Sequence, residues 1–367
     1  MSVTRARRQG ADGDGTAPIE ASATPTHETR RDRVVPTHDT FRIHPDDRAV
    51  AAPSLVNYAA SAEAAGFDFE VMSDHYFPWL DEQGHAGYAW SMLGAISQVT
   101  ERVELMTYVT CPILRYHPAV VAQKAATVQI LTEGRFTLGL GRGRTSTSTS
   151  SARAGPASTF ATRCWRRRSR SSPRSSTGYV TYGGKHFRVD SAKLWDLPER
   201  RVPIGIAVSG KQSISKFAPL ADALVAVEPD AGLVRDWDQA SGSGSPGGGN
   251  RKIGQIPVCW NPSNDEAVAR AHEQFRWFGG GWKVNAELPG TAAFAGATQF
   301  IRPEDVAQSI PCGPEVGPIV EAVSAYWEAG FTDVALVQIG DQGQDDFLKF
   351  AESELLPALR EASPDQR

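Results

Sequence analysis

The stretch SLVNYAASAEAAGFDFEVMSDH, residues 54–75, predicts a helix followed directly by a buried strand. Leu55, Ala59 and Ala62 recur at helical spacing, and Gly66 stands where a helix commonly ends in a left-handed residue. The apolar FDFEVM that follows has the length and composition of a strand. Because Ser, Asp and His come next, this unit places polar side chains at the carboxyl end of a strand.

The same unit recurs along the chain, and the alternation predicts an α/β protein with a parallel sheet. Further strands are expected in VELMTYVTCP (103–112), RFTLGLG (135–141), VPIGIAVSG (202–210), ALVAVEPD (223–230), KIGQIPVCW (252–260) and FTDVALVQIG (331–340). A doubly wound sheet and a (β/α)8 barrel both fit the alternation. No G-x-G-x-x-G follows a first strand, which weakens the doubly wound fold. Polar residues follow several different strands, as the active-site face of a (β/α)8 TIM barrel requires, so we predict the barrel.

The expected domain organisation is one barrel domain over residues 53–360, with a short tail at 361–367. Residues 1–52 are rich in Thr, Arg, Asp, Pro and Gly and show no apolar periodicity. We therefore predict a mostly disordered or aberrant N-terminal extension. No first barrel strand is recognisable within it.

Composition excludes several classes of function. A net charge of −4 argues against a general nucleic-acid binder, and 41% hydrophobic residues suffice for a large core. The four cysteines show no zinc-ligand spacing, which favours a reducing setting and no structural metal. No apolar run reaches the ~20 residues that span a bilayer. We expect a cytoplasmic protein that binds neither nucleic acid nor membrane.

Residues 142–176 differ from the sequence on either side of them. This segment holds nine arginines and ten serines, with no Asp, Glu, Leu, Ile, Val or Met. Three interpretations compete: a nucleic-acid arm, a disordered insertion and a segment translated out of frame. Since the rest of the chain is acidic, the nucleic-acid arm is the least favoured on charge.

Four stretches together resemble one known family. They are SDHYFPWLDEQGHAGYAW (73–90), TCPILRYHPAVVAQKAATVQILTEGRFTLGLG (110–141), GYVTYGGKHFRVDSAKLWDLPERRVPIGIAVSG (178–210) and VEPDAGLV (227–234). In this order they resemble the luciferase-like monooxygenase superfamily, and within it the branch that uses the deazaflavin coenzyme F420 and is similar to F420-dependent glucose-6-phosphate dehydrogenase. The resemblance implies a (β/α)8 barrel and hydride transfer between the deazaflavin and an alcohol or aldehyde substrate.

The resemblance also explains the anomalous segment 142–176. In the family, the strand that ends in GLG continues into a glycine pair, a glutamate and Asn-Leu-Asn-Glu-His. Here Arg144 stands at the glutamate position and Thr147 at the neighbouring Asn. Reading across the codon boundaries from Thr145 onward can encode Asn-Leu-Asn-Glu-His-Val-Val. We therefore predict a frameshift over 142–176, which removes the family's acid/base glutamate and impairs activity.

Three catalytic candidates lie close together after the first recognised strand. The resemblance implies that Asp74 contacts the deazaflavin, that His75 takes the substrate hydroxyl proton and that Trp79 lies beside the reacting carbon. An imidazole that titrates near neutrality suits the role of His75. Without the resemblance, Asp74 and His75 could be a helix cap and a surface histidine, and Trp79 a buried aromatic anchor.

The resemblance places the coenzyme-binding residues on two further loops. The first holds the ring through Val109, Thr110 and Cys111. The second holds the coenzyme's phosphate and tail through Ser209, Gly210, Gln212 and Ser213. A Gly-containing turn between strand and helix offers backbone N–H groups to anions, which supports the second assignment.

Substrate contacts and alternative functions stay open. His85, Glu228 and Lys283 are weak candidates for facing the substrate. The family's phosphate-binding lysine has no counterpart, because its position falls near Asp230, which argues against glucose 6-phosphate. FMN is the alternative cofactor, in a luciferase-like monooxygenase, and an inactive folded barrel or a non-functional frame-shifted product is the non-enzymatic alternative. No metal is expected, and the resemblance allows a homodimer.

Overall fold

The computed structural model describes residues 40–45, 47–112, 115–141, 178–184, 187–241, 251–285 and 287–364. The side chains of residues 40–45, 282 and 283 lie outside that description. Three further parts of the chain lie outside that description. They are residues 1–39 of the predicted N-terminal extension, the predicted frame-shifted segment 142–176 and the end of the tail, residues 365–367. Residues 38–367 form one compact unit.

Eight parallel strands close into a barrel, which confirms the predicted fold. In their order around the barrel they are β1 (Thr40–Pro45), β2 (Phe69–Met72), β3 (Glu104–Thr107), β4 (Phe136–Leu140), β7 (Ile204–Ala207), β8 (Ala223–Val225), β9 (Arg251–Val258) and β10 (Asp333–Gln338). β10 pairs with β1 and closes the ring. β5 (Val180–Gly183) and β6 (Arg188–Ala192) form a separate antiparallel hairpin.

The first strand corrects the sequence analysis, which found none in residues 1–52. β1 pairs with β10 over six residues, from Thr40 opposite Asp333 to Pro45 opposite Gln338, and also with β2. Its sequence, TFRIHP, holds only two large apolar residues and ends in proline. Such a strand is specified by its neighbours' hydrogen bonds rather than by its own pattern. The closed barrel therefore includes residues 40–45, which the sequence analysis placed in the N-terminal extension.

Helices surround the barrel in the order expected for βα units. They are α1 (Ala52–Ala65), α2 (Ala89–Val99), α3 (Pro118–Leu131), α4 (Lys211–Phe217), α5 (Ala231–Ser241), α6 (Asn264–Phe275), α7 (Gly281–Asn285), α8 (Thr291–Thr298), α9 (Pro303–Ala307), α10 (Val316–Glu328), α11 (Gln344–Phe350) and α12 (Leu356–Ala362). A π-helical turn at Ala351–Leu355 joins α11 to α12. α1 ends at Gly66, whose φ of 99° lies in the left-handed region, as predicted.

Alternating side chains of the strands separate two apolar layers. On β2, Phe69 and Val71 point into the barrel with Met106 of β3, whereas Met72 packs outward against the helices. The outer layer is the larger one and holds the buried faces of α1, α2, α3 and α10. This two-layer packing leaves the carboxyl ends of the strands to carry polar side chains.

A partly buried ion network lies at the amino-terminal end of the barrel. The Arg251 Nη1 lies 2.6 Å from Glu104 Oε1, and its Nε lies 3.2 Å from Asp333 Oδ1. Burial alone would lower the pKa of Arg251, but the two carboxylates outweigh it and raise that pKa. Arg251 therefore stays charged and joins the first residues of three strands.

One buried carboxyl in the outer layer makes stability depend on pH. Glu70 of β2 is buried, and its Oε2 has no hydrogen-bond partner. Burial, together with the negative charge of Glu63, raises the pKa of Glu70 from its ordinary value of 4.5 to about 8. The folded chain therefore holds this proton at a pH where the unfolded chain has released it. The contribution of Glu70 to stability is fully present below pH 4.5 and is lost as the pH rises to about 8.

Replacing Glu70 with glutamine should remove this pH dependence. One pKa unit corresponds to ~1.4 kcal/mol. Between pH 4.5 and pH 7 we therefore expect the parent to lose roughly 2–3 kcal/mol of its free energy of unfolding through Glu70, and the Glu70→Gln protein to keep it. The measurement is urea unfolding at several pH values, with the exposed Glu101→Gln as the matched control. A Glu70→Gln protein that loses stability with pH as steeply as the parent would contradict the assignment.

Between β9 and β10 the chain leaves the barrel in a segment that we call the excursion, residues 259–315, which carries α6 to α9. Its apolar side chains form what we call the rim cluster, together with residues that follow β2 and residues at the carboxyl end of β10. The members are Trp79, Leu80, Cys259, Ala267, Ala271, Phe275, Trp277, Phe294, Val306, Ile310, Val337 and Ile339. The excursion therefore packs onto the carboxyl-terminal face of the barrel.

Candidate active site

The carboxylate of Asp74 lies at the centre of a hydrogen-bond network just after β2. Its Oδ2 accepts hydrogen bonds from Trp90 Nε1 at 3.1 Å and Thr110 Oγ1 at 2.8 Å. Its Oδ1 accepts from Arg115 Nη1 at 3.0 Å and Tyr116 OH at 2.9 Å. The side chain of Asp74 is 0% exposed. Four donors thus surround one buried carboxylate and join the segment after β2 to the segment after β3.

This network gives Asp74 a positioning role. Its two oxygens already accept four hydrogen bonds from within the protein, and Arg115 supplies the matching charge. Burial and the nearby Asp74 charge raise the pKa of Tyr116, so its hydroxyl stays a donor. Direct contact of Asp74 with a coenzyme stays a prediction.

Sequence reasoning missed the partners of Asp74. Trp90, Arg115 and Tyr116 lie within the stretches that resemble the family, but nothing in the sequence marks them as partners of a carboxylate. The available signal was the RYHP tetrapeptide at 115–118, which places a cation and a phenol just before the start of α3. Pairing them with a carboxylate 41 residues away requires the tertiary structure.

His75 and Trp79, both predicted catalytic residues, lie together. Their ring centroids are 4.9 Å apart, and His75 is half-buried. Trp79 is 8% exposed and packs against Trp277 at 4.7 Å and Phe294 at 5.1 Å. Trp79 is therefore both a buried aromatic anchor and a neighbour of the candidate base. The excursion supplies the aromatic wall behind it.

Two further contacts fix Trp79. Gln83 Oε1 accepts hydrogen bonds from the backbone N–H of Trp79 at 2.9 Å and of Leu80 at 3.3 Å. The guanidinium carbon of Arg48 lies 4.4 Å from the centroid of the Trp79 ring, a cation–π distance. Arg48 follows β1, the strand that sequence reasoning did not find, so this neighbour was missed as well.

The segment after β3 runs close to the end of β4. Thr110 donates its N–H to Gly139 O at 2.9 Å, and Gly141 donates to Thr110 O at 2.9 Å. A Cβ on Gly141 would lie 2.4 Å from Val109 Cγ2, so the approach requires glycine. The peptide bond between Tyr108 and Val109 is cis. Val109 and Cys111 are half-buried at the barrel mouth, whereas Thr110 is buried and bound to Asp74.

The segment after β7 places the second predicted coenzyme-binding group at the surface. Ser209 and Gln212 are exposed. Ser213 donates two hydrogen bonds to Gly210 O, one from its Oγ at 2.7 Å and one from its backbone N–H at 3.1 Å. These bonds close the first turn of α4. Gly210 precedes this helix without a side-chain cap, and a Cβ there would meet nothing within 4 Å. This turn has open space on its outer side.

The three weak substrate candidates lie on three separate segments of the chain, and their contact with a substrate stays a prediction. His85 is exposed, and its N–H donates to Arg48 O at 2.7 Å. Glu228 is exposed after β8. Lys283 belongs to α7, and its side chain lies outside the described residues. Asp230, near which the resemblance places the family's lysine, accepts hydrogen bonds from the N–H groups of Gly232 at 2.7 Å and Leu233 at 3.1 Å, at the start of α5.

Among the described residues, no three His, Cys, Asp or Glu side chains gather closely enough to hold a metal ion. None of the helices described is both long and apolar enough to cross a membrane.

Comparison with known proteins assigns the chain to a family. Residues 35–333 match the family described as luciferase-like monooxygenase. The chain belongs to this family. The resemblance seen in the sequence is thereby confirmed.

Relatives within the luciferase-like monooxygenase family cover most of the chain. The F420-dependent hydroxymycolic acid dehydrogenase of Mycobacterium tuberculosis is 30% identical over 94% of this chain and 93% of its own length. The F420-dependent glucose-6-phosphate dehydrogenase of Kineococcus radiotolerans is 31% identical over 84% of this chain and 94% of its own length.

Solved structures share the luciferase-like barrel. An F420-dependent secondary alcohol dehydrogenase, in complex with an F420-acetone adduct, superposes with a TM-score of 0.75 at 20% identity and covers 88% of this chain and 100% of its own. A type II Baeyer–Villiger monooxygenase from Pseudomonas putida, in complex with FMN, gives a TM-score of 0.57 at 14% identity over 88% of this chain and 98% of its own. At these identities the likeness shows the fold.

Proposed function

We propose that this chain is an F420-dependent oxidoreductase that transfers hydride between the deazaflavin and an alcohol or aldehyde substrate. The observation that carries the proposal is the placement of His75 at the barrel mouth, against Trp79 and next to the buried Asp74 network. Two relatives that align over 84% and 94% of this chain are named as F420-dependent dehydrogenases, which supports the choice of coenzyme.

The residues at the barrel mouth fit a flat ring with an anionic tail. Val109 and Cys111 are half-buried there, and the close approach at Gly141 keeps their segment in place. After β7, two strands further around the barrel, the turn at the exposed Ser209 and at Gly210 precedes α4 without a side-chain cap. Val109 and Cys111 would hold the ring, with Ser209 and Gly210 on the tail. When bound, F420 supplies a two-electron hydride acceptor or donor.

In this proposal, residues of this chain accept and return the substrate hydroxyl proton. The His75 imidazole takes the substrate hydroxyl proton during oxidation and returns it during reduction. In our proposal Asp74 does not bind this proton. Its hydrogen bonds to the side chains of Thr110 and Arg115 hold the segment after β2 against the segment after β3. Trp79 limits the rotation of His75 by packing against it and excludes water from that side.

We further propose a substrate alcohol without a phosphate group. By the resemblance, the family's phosphate-binding lysine falls near Asp230, whose carboxylate accepts the Gly232 N–H at the start of α5. One relative is named for a sugar phosphate and another for a hydroxylated fatty acid, so the family accommodates both kinds of alcohol. A carboxylate at this position would repel a phosphate dianion.

Titration of the purified chain with oxidised F420 and with FMN tests the coenzyme assignment. We expect F420 to bind and its fluorescence to change on binding, whereas FMN should not saturate the protein. Gly141→Ala should weaken F420 binding about tenfold, because the new Cβ displaces Val109. Gly94→Ala is the control, since a Cβ there meets nothing within 4 Å. Saturation by FMN alone would favour a monooxygenase instead.

A further inference from the structure

Two cysteines lie opposite each other where the excursion leaves and rejoins the barrel. Cys259 follows β9 directly, and Cys312 comes near the end of the excursion. Cys259 donates its N–H to Pro311 O at 2.9 Å, and Gly313 donates to Cys259 O at 3.1 Å. These bonds pair Cys259 with Cys312 in a parallel β-bridge. The two residues are therefore direct cross-strand neighbours.

The bridge brings the two side chains within reach of a disulfide. Neighbouring strands lie about 4.8 Å apart, and paired residues project to the same face. That spacing falls inside the Cα–Cα range of roughly 4.4–6.8 Å found for disulfides. Cys259 belongs to the rim cluster, and Cys312 packs against the same cluster, so both side chains lie on one side of the bridge. Both carry thiols in the structure.

We propose that Cys259 and Cys312 form an oxidation site at which a two-electron thiol oxidant creates an intramolecular disulfide. Both S–H bonds break, one S–S bond forms, and the oxidant takes up two electrons and two protons. With diamide as the oxidant, its N=N bond is reduced to the hydrazine. The proposal is independent of the coenzyme and of the proposed reaction.

The disulfide would fasten both ends of the excursion to each other. Residues 260–311 lie between the two cysteines and include Trp277 and Phe294, which pack against Trp79. Closing this loop restricts the unfolded chain more than the folded one, because the folded chain already holds the ends together. Oxidation should therefore stabilise the wall behind the candidate active site.

The chemistry of Cys312 limits the rate of this oxidation. Cys312 is half-buried, and burial raises its pKa to about 11. Only the thiolate attacks an oxidant, and little of it is present at neutral pH. The site therefore resists mild oxidation and needs a strong thiol oxidant in excess.

Treatment of the full chain with excess diamide, followed by tryptic digestion without reduction and mass spectrometry, tests the proposal. We expect one linked pair of peptides that contains Cys259 and Cys312, lighter than the two separate peptides by ~2 Da, and a Tm higher by at least ~3 °C. Cys312→Ser should abolish both changes, whereas Cys111→Ser should leave both intact. Dithiothreitol should reverse them.

Other outcomes would overturn the proposal. If Cys259 or Cys312 links to Cys111 or Cys164, or if neither links while the other thiols react, the pair is not the oxidation site. A Cys259–Cys312 link that forms without a rise in Tm would overturn the claim that it fastens the excursion.

Discussion

Replacing Asp74 with alanine should lower the free energy of unfolding by roughly 3–5 kcal/mol, the usual range for breaking a buried ion pair. The substitution leaves the half-buried Arg115 without its countercharge and removes the buried acceptor of Trp90 and Thr110. Because the segments after β2 and β3 lose their shared contact, F420 affinity should fall as well.

Urea unfolding and F420 titration of the Asp74→Ala protein measure the two effects. Asp81→Ala is the matched control, since Asp81 lies seven residues further along the same segment and is exposed. We expect Asp81→Ala to change stability by no more than ~0.5 kcal/mol. If Asp74→Ala is as stable as Asp81→Ala and binds F420 as tightly as the parent, the positioning role of the network is wrong.

Replacing His75 with alanine should lower kcat/KM for alcohol oxidation by about 10²–10⁴-fold, the usual contribution of a general base. The half-buried imidazole is lost, but the Asp74 network and the rim cluster keep their contacts. The Kd for F420 and the free energy of unfolding should therefore stay close to the parent values. This combination separates a proton-transfer role from a structural one.

His85→Ala controls for loss of an imidazole from the same segment. His85 is exposed and contributes its backbone N–H rather than its ring to the described contacts. Its kcat/KM should stay within twofold of the parent. Equal rates for the His75→Ala and His85→Ala proteins would show that neither imidazole is the base.

Much of the barrel was predictable because its local patterns and its tertiary structure agree. The helical spacing of Leu55, Ala59 and Ala62 buries one face of α1, and Gly66 ends that helix as expected. The polar residues after β2 and β3 do meet at one face of the barrel. Fold class and the proximity of His75 to Trp79 followed from the sequence and the resemblance.

The missed features depend on contacts between distant parts of the chain. β1 has no strong pattern of its own and is held by β10, more than 280 residues away. Likewise, the donors to Asp74 come from α2 and from the segment after β3, and nothing local pairs them. The aromatic wall of Trp277 and Phe294 comes from the excursion, whose fold is specified by packing on the barrel.

Turnover with F420 tests the central claim most directly. The measurement is the loss of the oxidised deazaflavin's violet absorbance when the purified chain is mixed with F420 and a panel of primary and secondary alcohols, with glucose 6-phosphate included. We predict loss of absorbance with at least one unphosphorylated alcohol and none with glucose 6-phosphate. Saturable F420 binding without turnover of any alcohol, or of the matching aldehydes and ketones with reduced F420, would contradict the proposed activity and indicate a folded barrel without catalysis.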